Sequence, residues 1–220
     1  MNELIQTLAV YAIPVIFAIT MHESAHAYVA RYFGDNTAYS AGRLSLNPFK
    51  HIDPIGTLLL PALLYWVSKG SFAFGFAKPV PVNFSALRNP KRDMIWVALA
   101  GPASNFFMAL VWMLALYAVA ALQVTEPNLI KMVQAGIGVN LVMFALNLFP
   151  MLPLDGGRIL VGLLPMKLAI QFSKIEPFGF FIVLGLLATH IIDVYWLLPV
   201  MVHADASLQL LLSPLQFLIK

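Results

Sequence analysis

The chain has 220 residues, of which 60% are hydrophobic and 10% charged, and its net charge is +3. An average soluble domain carries roughly 25% charged residues, so lipid must cover much of this protein's surface. The 13 Lys and Arg residues lie scattered between apolar runs, which argues against nucleic-acid binding. The chain contains no cysteine, so any metal must be held by His, Asp, Glu or Asn.

The first predicted helix runs from Leu4 to Phe33 and ends at the turn residues Gly34, Asp35 and Asn36. Its apolar run continues into polar residues rather than to a small-residue cleavage site, so we expect it in the mature protein. The stretch from Ala38 to Pro54 is rich in glycine, asparagine and proline, and it predicts a loop or short strand.

The last third of this first helix carries the pattern His22-Glu23-x-x-His26. At about 1.5 Å and 100° per residue, the two histidines lie one turn apart on one face and can bind the same zinc ion. Glu23 lies too far round the helix to join both as a ligand, but it can accept a proton from a zinc-activated water. A lone histidine in a membrane helix often only bonds a neighbouring helix, whereas this pair favours a metal site.

Two shorter segments follow. Residues 55–67 form an apolar run interrupted by Pro61, which either crosses the membrane with strain or only dips into it. The prolines of 71–84 predict extended backbone. We therefore expect a small extended or β element, associated with the membrane, at roughly 38–50 and 71–84. Its unpaired edge could accept an unwound substrate as an added strand.

The second half of the chain is dominated by long apolar helices. The predicted segments are spans at Met94–Leu122, about Asn128–Phe149 and Phe178–Leu198, a helical patch to about Ser173, and a weak last segment at Ala206–Ile219. The fold class is therefore an all-α polytopic membrane protein with about five to six transmembrane or re-entrant helices. We interpret 1–220 as one integral membrane protease domain, with a catalytic core at about 4–165 and C-terminal spans at about 175–220.

Basic residues predict the orientation in the membrane. The positive-inside rule places most of them on the cytoplasmic side, with Lys69 and Lys131 as the outer minority: Arg31, Arg43, Lys50, Arg88, Lys91, Arg92, Arg158, Lys167 and Lys174. The N-terminus is then outside the cell membrane, and the histidine pair lies nearer the cytoplasmic side.

A catalytic zinc usually has three protein ligands and a water, so the histidine pair needs one more. Asp155 follows a span broken by two prolines and precedes Gly156 and Gly157, a backbone that can turn a carboxylate inward. A charged carboxylate inside a bilayer costs about 2.5–3.5 kcal/mol unless it has a partner. We assign Asp155 as the third ligand. Asn147, about two turns earlier, could donate its amide to the developing oxyanion.

Three motifs also carry a family resemblance. His22–His26, Gly101–Asn105 and Asn147–Gly157 resemble the signature motifs of the site-2 protease family of intramembrane zinc metalloproteases. Gly42–Pro61 and Gly75–Asn83 resemble the compact bacterial members, so we expect no PDZ or CBS regulatory domain.

The resemblance implies one catalytic Zn²⁺ and hydrolysis of peptide bonds in or near the transmembrane segments of membrane-protein substrates. It implies that the zinc ligands are His22, His26 and Asp155. It also implies that Glu23 is the general base and that Asn147 and Asn105 are polar groups near the scissile peptide. Two rival functions stay open: a proteolytically silent scaffold or chaperone, and an ion-coupled transporter that uses the same polar cluster. The oligomeric state cannot be read from the sequence.

Other polar residues have simpler interpretations. His51 and Asp53 lie in a basic interfacial loop and are interpreted as structural. His190 with Asp193, and His203 with Asp205, lie near a predicted outer boundary and are expected to be solvated or paired residues.

Overall fold

The structure is a computed structural model that describes residues 2–67 and 78–215. The described residues form nine α-helices: α1 (Asn2–Tyr32), α2 (Thr37–Ser40), α3 (Leu60–Val67), α4 (Pro90–Ala121), α5 (Pro127–Asn147), α6 (Asp155–Leu163), α7 (Met166–Ser173), α8 (Glu176–Ala188) and α9 (Leu198–Leu211). Short 3-10 or π-helical turns lie at Pro48–Lys50, Pro54–Leu59, Phe84–Ala86 and Asp193–Leu197. The expected helical class is confirmed.

Helix α1 ends where the turn cluster predicts. Gly34 has φ = +110°, a left-handed conformation that glycine adopts without steric cost. The Asp35 N–H donates to the Ala30 carbonyl at 2.9 Å, and the Gly34 N–H donates to the Arg31 carbonyl at 3.0 Å. This pair of bonds is a Schellman motif, which satisfies the last carbonyls of the helix.

Helix α4 lies at the centre of the molecule and packs against α1, α5 and α6. Small residues at these contacts let the helices approach closely, as is usual between membrane helices. They are buried with at most 2% exposure and include Ala30, Ala98 and Ala109. Because α4 contacts the other three helices, it can bring groups from distant parts of the chain to one place.

Among the described residues, three helical segments are long and apolar enough to cross a membrane: Pro90–Ala121, Pro127–Asn147 and Asp193–Leu211. The number rises to four if α7 and α8, which meet at 67°, form one broken span. This makes the chain a membrane protein. The expected five to six transmembrane or re-entrant helices are not confirmed by these segments. Residues 54–67 form a continuous helical segment of about 21 Å, which is shorter than a bilayer core.

The expected β element is not found in the described part of the chain. Within 38–50 the structure has the end of α2, a loop and a 3-10 turn, and it contains no strand. Residues 71–77 of the other expected segment lie outside the described residues. Residues 78–83 are non-helical, but their backbone bonds go to other partners instead of a ladder. Pro79 and Pro81 lack an N–H, which explains why no ladder forms there.

The C-terminal helices also differ from the expected boundaries. The structure breaks the predicted span at Phe178–Leu198 after Ala188, at a turn where His190 has φ = +57°. The last helical segment therefore begins at Asp193, well before Ala206. Thr189, His190 and Asp193 interrupt the apolar run at this break, so their polarity was the available signal, and the predicted span runs through it.

Candidate metal centre

Three ligand atoms meet where α1 passes the start of α6. The Nε2 atoms of His22 and His26 lie 3.1 Å apart. Oδ2 of Asp155 lies 3.2 Å from the first and 3.3 Å from the second. Among the described residues, these three form the group of His, Cys, Asp and Glu side chains that could hold a metal ion. The structure therefore brings together the three ligands assigned from the sequence.

The loop before α6 delivers Asp155 to the histidines. Gly156 packs so tightly that a Cβ there would lie 2.5 Å from the carbonyl carbon of Leu148. A Cβ at Gly157 would lie 2.5 Å from the carbonyl carbon of Met151. Leu152 in this loop is fully buried. The two glycines thus allow the chain to fold back on itself and present Asp155 in the first turn of α6.

Hydrogen bonds on the far side of each imidazole determine which ring nitrogen carries the hydrogen. Nδ1 of His22 lies 2.7 Å from Oδ1 of Asn105, and Nδ1 of His26 lies 2.7 Å from the backbone carbonyl of Val97. Both partners are acceptors, so each Nδ1 carries the hydrogen. Both Nε2 atoms are then bare lone pairs that point at the third ligand. This is the usual outer-shell arrangement of metal-binding histidines.

The residues present fit a zinc ion. Oδ2 of Asp155 is buried and accepts no hydrogen bond from the described part of the chain. Two bare nitrogens and a carboxylate oxygen at such short separations repel one another unless a cation lies between them. Ligands about 2.0–2.1 Å from a tetrahedral zinc are separated by roughly 3.3 Å. The observed separations of 3.1, 3.2 and 3.3 Å match that edge.

Gly101 lets α4 pass directly behind the two imidazoles. A Cβ at this position would lie 2.6 Å from Cε1 of His22 and 2.6 Å from Cε1 of His26. Real Cβ atoms do not approach ring carbons so closely, so any side chain here would displace the histidines. The Gly101–Asn105 motif thus provides space for the metal ligands at its first residue and a hydrogen bond to His22 at its last.

A buried chain of amides supports the His22 contact. Nδ2 of Asn105 donates to Oδ1 of Asn140 at 3.1 Å and to the Ala18 carbonyl at 3.2 Å. Nδ2 of Asn140 donates to the Gly136 carbonyl at 2.8 Å. These bonds fix both amide orientations and turn Oδ1 of Asn105 toward His22. Asn105 is fully buried behind the histidine, and its expected place near the scissile peptide stays a prediction.

Asn140 was missed by the sequence reasoning. It is fully buried in the middle of the apolar helix α5. The available signal was its polarity, because an amide inside a membrane helix needs a partner and often marks a functional contact. The identity of that partner depends on how α4 packs on α5.

Glu23 lies beside the ligands and faces the same cavity. Its Oε2 accepts a hydrogen bond of 2.7 Å from the Val80 N–H. Pro79 and Pro81 flank Val80 and have no N–H, so Val80 is the donor of this short stretch. The bond holds one carboxylate oxygen of Glu23 and leaves Oε1 for other chemistry.

Asn147 lies at the end of α5 and also lines the cavity. Its Nδ2 donates to the Met143 carbonyl, one turn earlier in the same helix, at 3.0 Å. An amide nitrogen has two hydrogens, so this bond uses one of them. The expected role of Asn147 at an oxyanion stays a prediction.

Two other residues noted in the sequence are structural. Oδ1 of Asp53 accepts hydrogen bonds from the backbone N–H groups of Ile55 and Gly56, and it caps the helical segment that follows. His51 is fully buried, and its Nε2 lies 2.7 Å from the Ser45 carbonyl. Neither joins the metal ligands.

The C-terminal histidines have partners of their own. Exposed His190 pairs with Asp193 at 2.8 Å. His203 bonds the Pro199 carbonyl at 2.7 Å, and Asp205 accepts a bond from Gln209 at 2.6 Å. All four residues thus have partners, as expected: His190 and Asp193 pair with each other, and His203 and Asp205 bond groups of their own helix.

The metal ligands open onto a cavity of about 1630 Å³. It is lined mainly by α1 and α5, together with Pro79, Val80 and the loop before α6. A cavity of this size has room for a stretch of polypeptide, whereas a metal bound only for structural stability is normally enclosed by four protein ligands.

Fold and site together define a class. A helical membrane protein carries an His-Glu-x-x-His motif on one helix, a carboxylate from a distant loop completes three ligands, and the acid between the histidines faces an open cavity. This is the arrangement of a zinc hydrolase site with one coordination position left for water.

Comparison with known proteins points to the same class of protein. The chain is 39% identical over 182 residues to "Putative zinc metalloprotease YwhC" of Bacillus subtilis, which covers 80% of this chain and 79% of that protein. The chain therefore belongs to the site-2 protease family of zinc metalloproteases.

Two further relatives are more distant. "Putative zinc metalloprotease Rip2" of Mycolicibacterium smegmatis is 33% identical over 97 residues, or 44% of this chain and 35% of the relative. The protein of the same name in Mycobacterium tuberculosis is 28% identical over 145 residues, or 64% and 52% of the two chains. No family model matches the chain. No solved structure matches it either.

Proposed function

We propose that this protein is an intramembrane zinc metalloprotease that hydrolyses peptide bonds in or near the transmembrane segments of membrane-protein substrates. The observation that carries the proposal is the convergence of His22, His26 and Asp155 beside Glu23 at an open cavity. The names of the relatives support a metalloprotease role. The apolar helices support a site that works within the membrane.

The three ligands hold the ion, and the cavity receives the substrate peptide. A zinc ion held by these three residues would supply Lewis acidity to the scissile carbonyl and to water. Oε1 of Glu23 accepts a proton as the water oxygen bonds the carbonyl carbon. The Val80 N–H keeps the other oxygen of Glu23 in place. Glu23 then gives the proton to the leaving nitrogen as the C–N bond breaks, so its carboxylate is regenerated.

Asn147 is assigned to the carbonyl oxygen of the substrate. Negative charge grows on that oxygen as water attacks, and a donor positioned there lowers the barrier. The support is that Asn147 lines the cavity and uses one amide hydrogen within its own helix. The second hydrogen is the one that would reach the oxyanion.

The site is assigned to the cytoplasmic half of the cell membrane. His26 precedes the end of α1 at Tyr32 by six residues, or about 9 Å along the helix. Arg31 and the basic residues near 88–92 and 158 lie at this end of the helices, which supports a cytoplasmic location and an outer N-terminus. Water then reaches the site over a short path.

The edge of 78–83 is the assigned docking place for an unwound substrate strand. Strand addition needs backbone donors and acceptors. Val80 already donates to Glu23, and Pro79 and Pro81 cannot donate. Pairing would therefore depend mainly on the carbonyl groups of the segment and on Val82. This fits a substrate held briefly during cleavage rather than a stable complex.

The test combines metal content with cleavage. Purified wild type and Glu23→Gln are compared for zinc and for cleavage of model transmembrane peptides in lipid nanodiscs. We expect both proteins to hold one zinc and only the wild type to cleave. Glu126→Gln is the matched control, because Glu126 is exposed at the start of α5 and its side chain makes no capping bond. Ion transport that survives Glu23→Gln, without cleavage by the wild type, would support the rival transporter function instead.

A further inference from the structure

The cavity extends as a groove far beyond the metal ligands. It follows α1 from His22 back to Gln6 and follows α5 from Asn147 back to Lys131. Each path covers 16 residues, which is about 24 Å of helix. Between the two ends the lining is mostly apolar and includes Val10, Val15, Ile19, Ala135, Val139 and Val142.

The far end of the groove is polar and carries a cation. Gln6, Thr7, Asn128 and Gln134 line it together with Lys131. The two carboxylates that line the cavity, Glu23 and Asp155, both lie at the metal end.

Lys131 forms no salt bridge within the described part of the chain. Arg158, the other cation of the lining, forms an ion pair with Glu176. Among the described side chains, Lys131 is therefore a positive charge of the groove without an ion-pair partner, about 24 Å from the metal site.

We propose that this groove binds the transmembrane helix of the substrate and that Lys131 pairs with an acidic residue about 16 residues from the scissile bond. The inference rests on the proposed function, since it specifies which substrates that site would accept. An apolar segment in lipid must be helical to satisfy its backbone, and a helix spans this distance in about four to five turns.

Continuity with the catalytic site favours a substrate carboxylate over a lipid phosphate at Lys131. A charge at the edge of a membrane helix is costly when unpaired, so a substrate acid gains from a cation placed there. The flexible ammonium of lysine can donate to a carboxylate in many geometries, which suits substrates of different sequence. The pair would set how deeply the substrate enters and hence which bond reaches the metal site.

Gly138 offers a way to fill the groove without disturbing the protein. It lines the groove midway along α5, and a Cβ at this position would meet no atom within 4 Å. Gly185 on α8 has the same open space but is not part of the lining. A leucine at 138 therefore projects into the groove, and a leucine at 185 is its matched control.

The first experiment measures binding without cleavage. Glu23→Gln protein in nanodiscs of neutral phosphatidylcholine is titrated with fluorescent Leu-Ala transmembrane peptides that carry Asp, Asn or Lys about 16 residues from a central Gly-Pro pair. We expect the Asp peptide to bind about tenfold more tightly than the Lys peptide, as a partly buried charge pair would cause. Adding Lys131→Glu should reverse this order, and adding Lys167→Glu, at an exposed position outside the groove, should leave it unchanged.

The second experiment tests the groove itself. In the same Glu23→Gln background, Gly138→Leu should weaken binding of all three peptides by about tenfold, whereas Gly185→Leu should not change it. Unchanged binding in Gly138→Leu would overturn the groove as the docking site. Equal binding of the Asp and Lys peptides would overturn the role of Lys131, as would a Lys131→Glu effect that follows the anionic lipid content rather than the peptide charge.

Wild-type cleavage separates this inference from the proposed function. Peptides that bind with the expected charge dependence but are not cut by zinc-loaded wild type would contradict the protease and leave the groove assignment intact. Peptides that are cut at the same rate whatever their charge would contradict the role of Lys131 and leave the proposed protease function intact.

Discussion

The hydrogen bond from Nδ1 of His22 to Oδ1 of Asn105, 2.7 Å long, connects the metal ligand on α1 to the centre of α4. Because Asn105 can only accept at this oxygen, the bond leaves Nε2 of His22 as a lone pair directed at the metal position. His26 gains the same orientation from the Val97 carbonyl, which lies about two turns before Asn105 on α4. Helix α4 thus orients both ligands without contributing one.

Replacing Asn105 with leucine should weaken zinc binding without removing a ligand. The change removes the acceptor of His22 and leaves the Ala18 carbonyl without its donor. Loss of such an outer-shell bond typically lowers metal affinity about 10–100-fold. Competition with a zinc-binding dye measures it. Asn36→Ala, at an exposed asparagine without a capping bond, is the control, and equal affinity in both variants would contradict this role.

Asn140 should act on the metal through Asn105. The variant Asn140→Leu removes the acceptor that orients the Asn105 amide, so we expect a smaller loss of zinc affinity than in Asn105→Leu. The double variant should be little worse than Asn105→Leu alone, because both changes disturb the same contact with His22. Zinc affinities of the four proteins in this cycle measure the coupling. Additive losses would show that Asn140 acts by another route.

Gly101→Ala should disrupt the metal site by steric pressure. The new methyl group would lie 2.6 Å from ring carbons of both histidines, so the rings must move away from Asp155. We expect loss of bound zinc and a stability decrease of about 1–3 kcal/mol, as for overpacked cores. Zinc content and thermal unfolding in detergent report the two effects. Gly185→Ala, in open space, should change neither.

Val80→Pro should slow catalysis while zinc remains bound. Proline removes the N–H that donates to Oε2 of Glu23. A hydrogen bond to a charged group contributes about 1.5–3 kcal/mol, here to holding the Glu23 carboxylate in the position where it acts on water, so we expect roughly a 10–100-fold lower kcat when that position is lost. Val80→Ala keeps the N–H and should remain near wild type. Equal rates in Val80→Pro and wild type would show that Glu23 needs no such support.

The ligand set was readable from the sequence because its signals are local. The spacing of His22 and His26 defines one helix face, and the prolines and glycines around Asp155 mark a sharp change of chain direction. The structure brings all three together. The hydrogen bonds that orient His22 were harder to predict from the sequence, because Asn140 contacts Asn105 only through the packing of α5 on α4.

Other features depended on tertiary context. The extended nature of residues near Val80 followed from its prolines, but its bond to Glu23 depends on where the chain returns after 67. The helix break after Ala188 falls at Thr189 and His190, two polar residues in an otherwise apolar run, and the hydrophobicity of the whole run does not show that the helix ends there. Helix boundaries there could not be predicted from periodicity.

The central claim is that His22, His26 and Asp155 hold one zinc ion while Glu23 acts on water without being a ligand. The most direct measurement is the zinc content of purified wild type, Asp155→Ala and Glu23→Gln after dialysis against a weak chelator, with cleavage of a transmembrane peptide in parallel. We predict one zinc and cleavage in the wild type, neither in Asp155→Ala, and one zinc without cleavage in Glu23→Gln. Full zinc retention and cleavage by Asp155→Ala would contradict the account.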